Sequence, residues 1–315
     1  MGYCFTNHET VPEGIKRIAC EQLDKAIAQA KRTAKQRDEA IHDARVSMKK
    51  ARALLRLARS KRMNDVFGKE IRCYRDAGRL LSDMRDAAVM IAALDKLTEH
   101  YADQLTSKAF DEFRRPFVKT RNTQYSLKNK GLAEMARRLK SARRRVATWP
   151  LDDDGFCALR QGLQHSYKRG RMGMAQAQAE PCVATFHEWR KRVKDLWYQV
   201  RLLTPTWPAT VKNLADELEQ LADYLSDDHD LAILRQRVLQ QSPQDRTQQD
   251  ALVALIDQRR GELEVEAHRL GERIYVERPK DFVHRFGMYW RTWSSEPNVE
   301  PIPDDEHVPS RREAA

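Results

Sequence analysis

Residues 42–56 and 187–201 carry the same arrangement of basic side chains at an offset of 145 residues. In the first stretch His42 is followed by Arg45, Lys49, Arg52 and Arg56. In the second, His187 is followed by Arg190, Lys194 and Arg201, with Trp197 where the first has Arg52. A second landmark keeps almost the same spacing: Leu81-Ser82-Asp83-Met84-Arg85-Asp86 meets Leu225-Ser226-Asp227-Asp228-His229-Asp230 at an offset of 144. A chain that repeats itself over such a distance builds one substructure twice, so the expected architecture is a duplicated bundle.

The elements of that bundle are helical. Apolar residues recur at three and four through long stretches free of Gly and Pro, which predicts helices near 13–34, 38–60, 65–82, 86–104, 107–125 and 132–148. The segment Trp149-Pro150-Leu151-Asp152-Asp153-Asp154-Gly155 breaks the pattern. A second set follows near 156–174, 182–203, 209–225, 229–240, 244–276 and 280–293. With only 12 glycines in 315 residues, turn-rich β architectures are disfavoured. The expected division is an N-terminal bundle over 1–150, a C-terminal bundle over 151–295 and a Pro- and acid-rich disordered tail over 296–315. No apolar run is long enough for a membrane span, and the first residues lack a signal peptide's apolar stretch. The five cysteines, Cys4, Cys20, Cys73, Cys157 and Cys182, stand singly with no Cys-x-x-Cys pair, which disfavours a structural zinc site. A cytoplasmic protein with free thiols is the expectation.

Charge is distributed unevenly. Residues 1–150 hold 34 Lys and Arg against 18 Asp and Glu, a net of +16, whereas the remainder is net −5. Such a field draws polyanions to the N-terminal half, be they nucleic acid, acidic membrane surface or a phosphate polymer. On a helix, His42, Arg45, Lys49, Arg52 and Arg56 fall within an arc of about 80° and form one row roughly 21 Å long. One or two cations suffice for a lone phosphate. A row of five matches an extended anion with regularly spaced charge, whose binding would remove the mutual repulsion of the cations. The competing reading is a solvated face on which long stems cover apolar surface. Against it, the acidic residues at i±4 that usually lace such a face are missing from this row.

The pattern His-x-x-Arg-x-x-x-Lys, repeated in a helical chain and followed each time by Leu-x-x-x-Arg/His-Asp, resembles the CHAD domain, the conserved histidine α-helical domain. Tyr167-Lys168-Arg169-Gly170-Arg171 and the stretch from Phe186 to Tyr198 are especially similar to family sequence. The resemblance implies two bundles related by pseudo-twofold symmetry around a central basic groove or pore that binds inorganic polyphosphate, and an association with polyphosphate granules and their proteins. By position it implies that His42, Arg45, Lys49, Arg52 and Arg56 line one side, and His187, Arg190, Lys194 and Arg201 the other. Tyr167, Arg169 and Arg171 would add donors. Guanidinium groups suit phosphate oxygens bidentately, and lysines add point charge.

The second side is the weaker one. It has Trp197 in its row, and Asp216, Glu219 and Asp223 align with Arg72, Arg75 and Arg79. The N-terminal bundle is therefore expected to carry most of the affinity, with Arg75, Arg79 and the basic helix holding Arg137, Arg138, Lys140 and Arg144. For Arg143 to Arg145 a solvated helix end is an equal alternative.

No catalytic module is expected. The Glu-x-Glu-x-Lys strand of the triphosphatase domains fused to some CHAD domains is represented only by Glu262-Leu263-Glu264-Val265-Glu266, inside a predicted helix and without the lysine. Gly-rich phosphate loops, His-Glu-x-x-His and Gly-x-Ser-x-Gly are also missing. Asp227-Asp228-His229-Asp230 invites a metal reading, but neighbouring helix positions diverge, and a helix start or ion pair is the better reading there. Asp152 to Asp154 read as a linker and cap. The expectation is binding without turnover, metal or cofactor. A nucleic-acid-binding helical protein and a scaffold for an acidic protein partner are the alternatives, the first without a helix-turn-helix or an aromatic stacking platform.

Overall fold

The computed structural model describes residues 2–33, 36–60, 62–81, 83–103, 110–123, 125–151, 154–241 and 246–296. The expected disordered tail, from residue 297 onward, lies outside the described residues, as do Asp152 and Asp153. The protein is all-α, and the described residues form no strand. Eleven α-helices are described: α1 (Val11–Ala28), α2 (Arg37–Leu57), α3 (Asn64–Arg79), α4 (Asp83–His100), α5 (Asp111–Thr123), α6 (Tyr125–Val146), α7 (Cys157–Ala179), α8 (Val183–Leu202), α9 (Pro208–Leu239), α10 (Arg246–Ile274) and α11 (Pro279–Ser294). None is long and apolar enough to cross a membrane.

Local chemistry sets several of these boundaries. Thr10 caps α1 in a capping box, its hydroxyl accepting from the Glu13 N–H while the Glu13 carboxylate accepts from the Thr10 N–H at 2.9 Å. Asp154, in the break between the helix sets, accepts from the Val11 N–H at 2.9 Å, so it caps the distant α1. Pro208 and Pro279 occupy the first turns of α9 and α11, where no intrahelical N–H is needed.

Several boundaries differ from expectation: α6 begins at Tyr125 and not near 132, and α1 ends at Ala28 and not near 34. The helices predicted at 209–225 and 229–240 are a single helix, α9. Ser226 and Asp228 resemble a helix start by composition, but tertiary partners absorb their side chains. The Ser226 hydroxyl donates to the Ala222 carbonyl one turn back and accepts from Arg190, and Asp228 pairs with Arg260 of α10 at 2.7 Å.

The helices pack around two apolar cores. The larger gathers α1, α2, α3, α6, α7, α8, the first half of α9, the end of α10 and α11. The smaller gathers α4, α5, the second half of α9 and α10. Each core draws on residues from both sides of residue 150.

α2 is central because its inner face is small: Ala40, Ala44, Ala51 and Ala53 are buried, leaving room for close neighbours. Gln199 of α8, fully buried, donates to the Ala53 carbonyl at 3.1 Å. On the other flank Gly162 of α7 meets α2 so closely that a Cβ there would sit 2.0 Å from the Leu57 carbonyl oxygen. With its inner face committed, α2 turns its basic row outward.

Candidate functional site

Between α2 and α3 lies a cleft of about 120 Å³ lined by Arg45, Met48, Lys49, Arg52, Tyr74, Arg75, Gly78 and Arg79. The i, i+4, i+7 spacing on α2 and the i, i+4 spacing on α3 point five cations into one space. Among the described residues its lining holds no carboxylate. Gly78 leaves one wall open, and Arg45 is braced there, its Nη1 donating to the Gly78 carbonyl at 2.9 Å.

On the rim, Asp76 accepts from Arg75 Nε at 2.9 Å and lies 3.7 Å from Arg79 Nη1. The Arg75 hydrogen bond holds its carboxyl below the ordinary range. Arg52 is half-buried within the row. Burial, then the charge of Arg56, pushes its guanidinium pKa down, and its Nε is buried without a hydrogen-bond partner. The cleft thus brings five positive charges into one small space.

The other expected site residues are distributed differently. His42 lies one turn before Arg45 on α2, outside the cleft lining. Arg56, at the far end, pairs with Asp195 of α8 at 3.2 Å. On α6, Arg137 is exposed and binds Glu134 through two bonds of 2.7 and 2.8 Å, with Arg138 on the same carboxylate. Lys140 and Arg144 are exposed on that helix, and none of these α6 side chains lines the cleft. Arg143 and Arg145 are engaged with Asp24 at 2.6 Å and Glu70 at 2.6 Å, so neither is a merely solvated helix end.

Tyr167 requires a correction. It is fully buried, stacked on Phe282 with ring centroids 4.0 Å apart, and its hydroxyl donates toward the Ile274 and Glu277 carbonyls. Burial pushes its pKa up to about 12. This is a core tyrosine with a satisfied hydroxyl and has no donor to offer a groove ligand. Arg171 donates to the Glu277 carbonyl at 3.2 Å, and Arg169 is exposed within the fields of Arg192, Glu188 and Asp195.

On α8 the second row is built into its surroundings. Arg190 donates to the Ser226 hydroxyl at 3.0 Å, and Arg201 lies over the Trp197 ring at 5.3 Å. His187 faces His229 with ring centroids 4.4 Å apart, and the Nδ1 atoms of both are buried without partners. Burial depresses both imidazoles, aided by Arg190 in each case, and His229 falls to about 3 with His187, Lys194 and Arg260 also facing it.

A histidine whose folded pKa is depressed contributes stability above its unfolded pKa of about 6.5 and loses it as pH falls toward the folded value. Thermal melts should therefore show the wild type losing stability from about pH 6.5 downward, and His229→Gln a flatter profile. Equal slopes for both would place the acid sensitivity elsewhere.

The four-residue cluster at 227–230 is dispersed by its partners. Asp227 pairs with Lys96 at 3.1 Å, Asp228 with Arg260, and His229 with the His187 ring. Among the described residues no group of three or more His, Cys, Asp or Glu is placed to hold a metal ion. Met48, Tyr74 and Gly78, which complete the cleft, were not among the expected site residues. Met48 stands beside Lys49 on α2, and Tyr74 and Gly78 directly precede Arg75 and Arg79 at the same i, i+4 spacing on α3, which was the available signal.

Fold and cleft together define an all-helical protein with a cationic groove between adjacent helices. A sequence model of the CHAD domain matches residues 17–239, from within α1 to the end of α9, and the chain belongs to the CHAD domain family. This family is known in general for polyphosphate binding. No curated protein matches the chain.

Proposed function

We propose that the chain binds inorganic polyphosphate, without turning it over, along the α2 row and in the α2–α3 cleft, and that it thereby targets or organises polyphosphate granules. The observation that carries this reading is the convergence of Arg45, Lys49, Arg52, Arg75 and Arg79 on one narrow cleft. Guanidinium forks and a lysine ammonium are the donors that phosphate oxygens require, and the repulsion among them falls when a polyanion enters. Among the described residues the lining offers neither a carboxylate to organise a metal nor an activated nucleophile, the residue types that phosphoryl transfer would demand. The small width suits a thin linear chain better than stacked bases.

Calorimetric titration at near-physiological salt tests the reading, with long-chain polyphosphate, tripolyphosphate and single-stranded DNA offered to wild type and Arg45→Ala/Lys49→Ala. Tight binding that grows with chain length is expected, and the double variant should lose roughly a hundredfold in affinity. Equal affinity for DNA, or an unaffected double variant, would return the row to a solvated basic face.

A further inference from the structure

The α2 row does not run on unopposed. From Arg45 to Arg56 it covers about 16 Å of helix. Its last member, Arg56, is met by a carboxylate from another helix: Asp195 Oδ1 lies 3.2 Å from Arg56 Nη1, and Asp195 Oδ2 lies 3.5 Å from Arg192 Nη1. The side chains of Asp195 and Arg192 are each 17% exposed and that of Arg56 is 26% exposed, so the contact is sheltered but open to displacement. Asp195 also acts electrostatically on Arg52 and Arg169. One carboxylate thus sits among four arginines from α2, α7 and α8.

More positive charge lies beyond it. Arg169 is exposed, close enough to Arg56 and Arg192 to feel both, with Glu188 and Asp195 as the carboxylates acting on it. Beside it, His165 is held toward its neutral form by burial and by Arg169, Arg59, Arg192 and Lys168. The chain therefore has a basic cleft and a basic corner, with Asp195 between them. In the first repeat the position equivalent to Asp195 is Lys50, so the second copy carries a negative charge where the first carries a positive one.

Building on the polyphosphate reading, we propose that Asp195 is a specificity-determining residue that sets the length of chain the site reads. A short anion satisfies Arg45, Lys49 and Arg52 without meeting it. A longer chain advancing along α2 must take Arg56 from Asp195 before it reaches Arg169 and the corner beyond. The carboxylate thereby charges long ligands a displacement cost that short ones avoid.

Asp195→Asn keeps the side-chain shape and one acceptor oxygen, and the Gln199 bond to Ala53 still ties α8 to α2. Its control is Glu188→Gln, which removes the same charge from a residue that pairs with Lys191 and Arg192 but not with Arg56. Calorimetry would compare tripolyphosphate with long-chain polyphosphate across a salt series, alongside thermal melts of each variant.

Asp195→Asn should bind the long chain roughly fivefold tighter, the upper range for a partly exposed ion pair, with tripolyphosphate changed less than twofold. The slope of log affinity against log salt for the long chain should steepen by about one, as one more phosphate is neutralised. Glu188→Gln should leave both ligands within twofold. Wild-type binding that Asp195→Asn leaves unchanged or weakens, or an equal gain in Glu188→Gln, overturns the role of Asp195 alone. Failure of wild type and variant alike to bind polyphosphate overturns the underlying reading as well.

Discussion

Replacing Arg52 by methionine is expected to weaken polyphosphate binding by roughly tenfold to a hundredfold while leaving the fold at least as stable as before. The two effects separate because Arg52 is placed for a ligand and poorly for the apo protein. It lies between Lys49 and Arg56 on α2 and faces Arg75 across the cleft, its Nε has no partner, and burial works against its charge. Methionine fills similar length along the Met48 and Tyr74 side of the cleft without a buried donor to satisfy. Removing an unsatisfied buried group is worth about 1 kcal/mol, or roughly 2 °C in a melt. A variant that loses both stability and binding would show that Arg52 supports the fold and is not held for an anion.

The opposite pattern is expected at Arg145. Its guanidinium holds the Glu70 carboxylate through bonds of 2.6 and 2.9 Å, and the Glu70 side chain is 1% exposed. Arg145→Ala leaves that charge buried and unpaired, a loss of about 3–5 kcal/mol. In a protein of this size that is roughly 6–10 °C of thermal stability.

The pair fastens α6 to α3, the helix that presents Arg75 and Arg79, so cleft geometry should suffer with it. A Glu70→Leu/Arg145→Met double variant should recover most of the loss, because it removes both charges together. A drop below about 1 kcal/mol in Arg145→Ala would mean that the Glu70 carboxylate finds other solvation. Chemical denaturation of the three variants measures all of this.

The helices were legible because their apolar period is strong, and the row on α2 because its spacing returns to one face. Other features needed partners far along the chain. The Ser226–Asp230 run had the composition of a helix start, and only Arg190 and Arg260, 36 and 32 residues from their respective partners, explain why α9 continues through it.

Tyr167 was misassigned on its hydroxyl. Its position belongs to the buried stripe of Leu159, Gly162, Leu163, Ser166 and Gly170, a period that was present in the sequence. Arg75 and Arg79 were named through alignment with the second copy, but their place in one cleft with Arg45, Lys49 and Arg52 came only with the packing of α3 on α2. Asp195 was not, since a carboxylate inside a basic motif reveals nothing until Arg56, 139 residues earlier in the chain, is seen beside it.

The unbroken course of α9 has a mechanical consequence. Its 32 residues extend about 48 Å. They seat Leu218, Leu221 and Leu225 in the larger core and Leu231, Leu234 and Val238 in the smaller. After Pro208 the helix contains neither proline nor glycine, the usual places for a helix to fold over. The Asp228–Arg260 pair clamps it to α10 where one core gives way to the other. The cores are therefore joined by a beam and not by a hinge, and displacing one against the other means bending a continuous ladder of backbone hydrogen bonds. Force applied to one end of such a molecule is passed through α9 to the other end and is not absorbed at a joint.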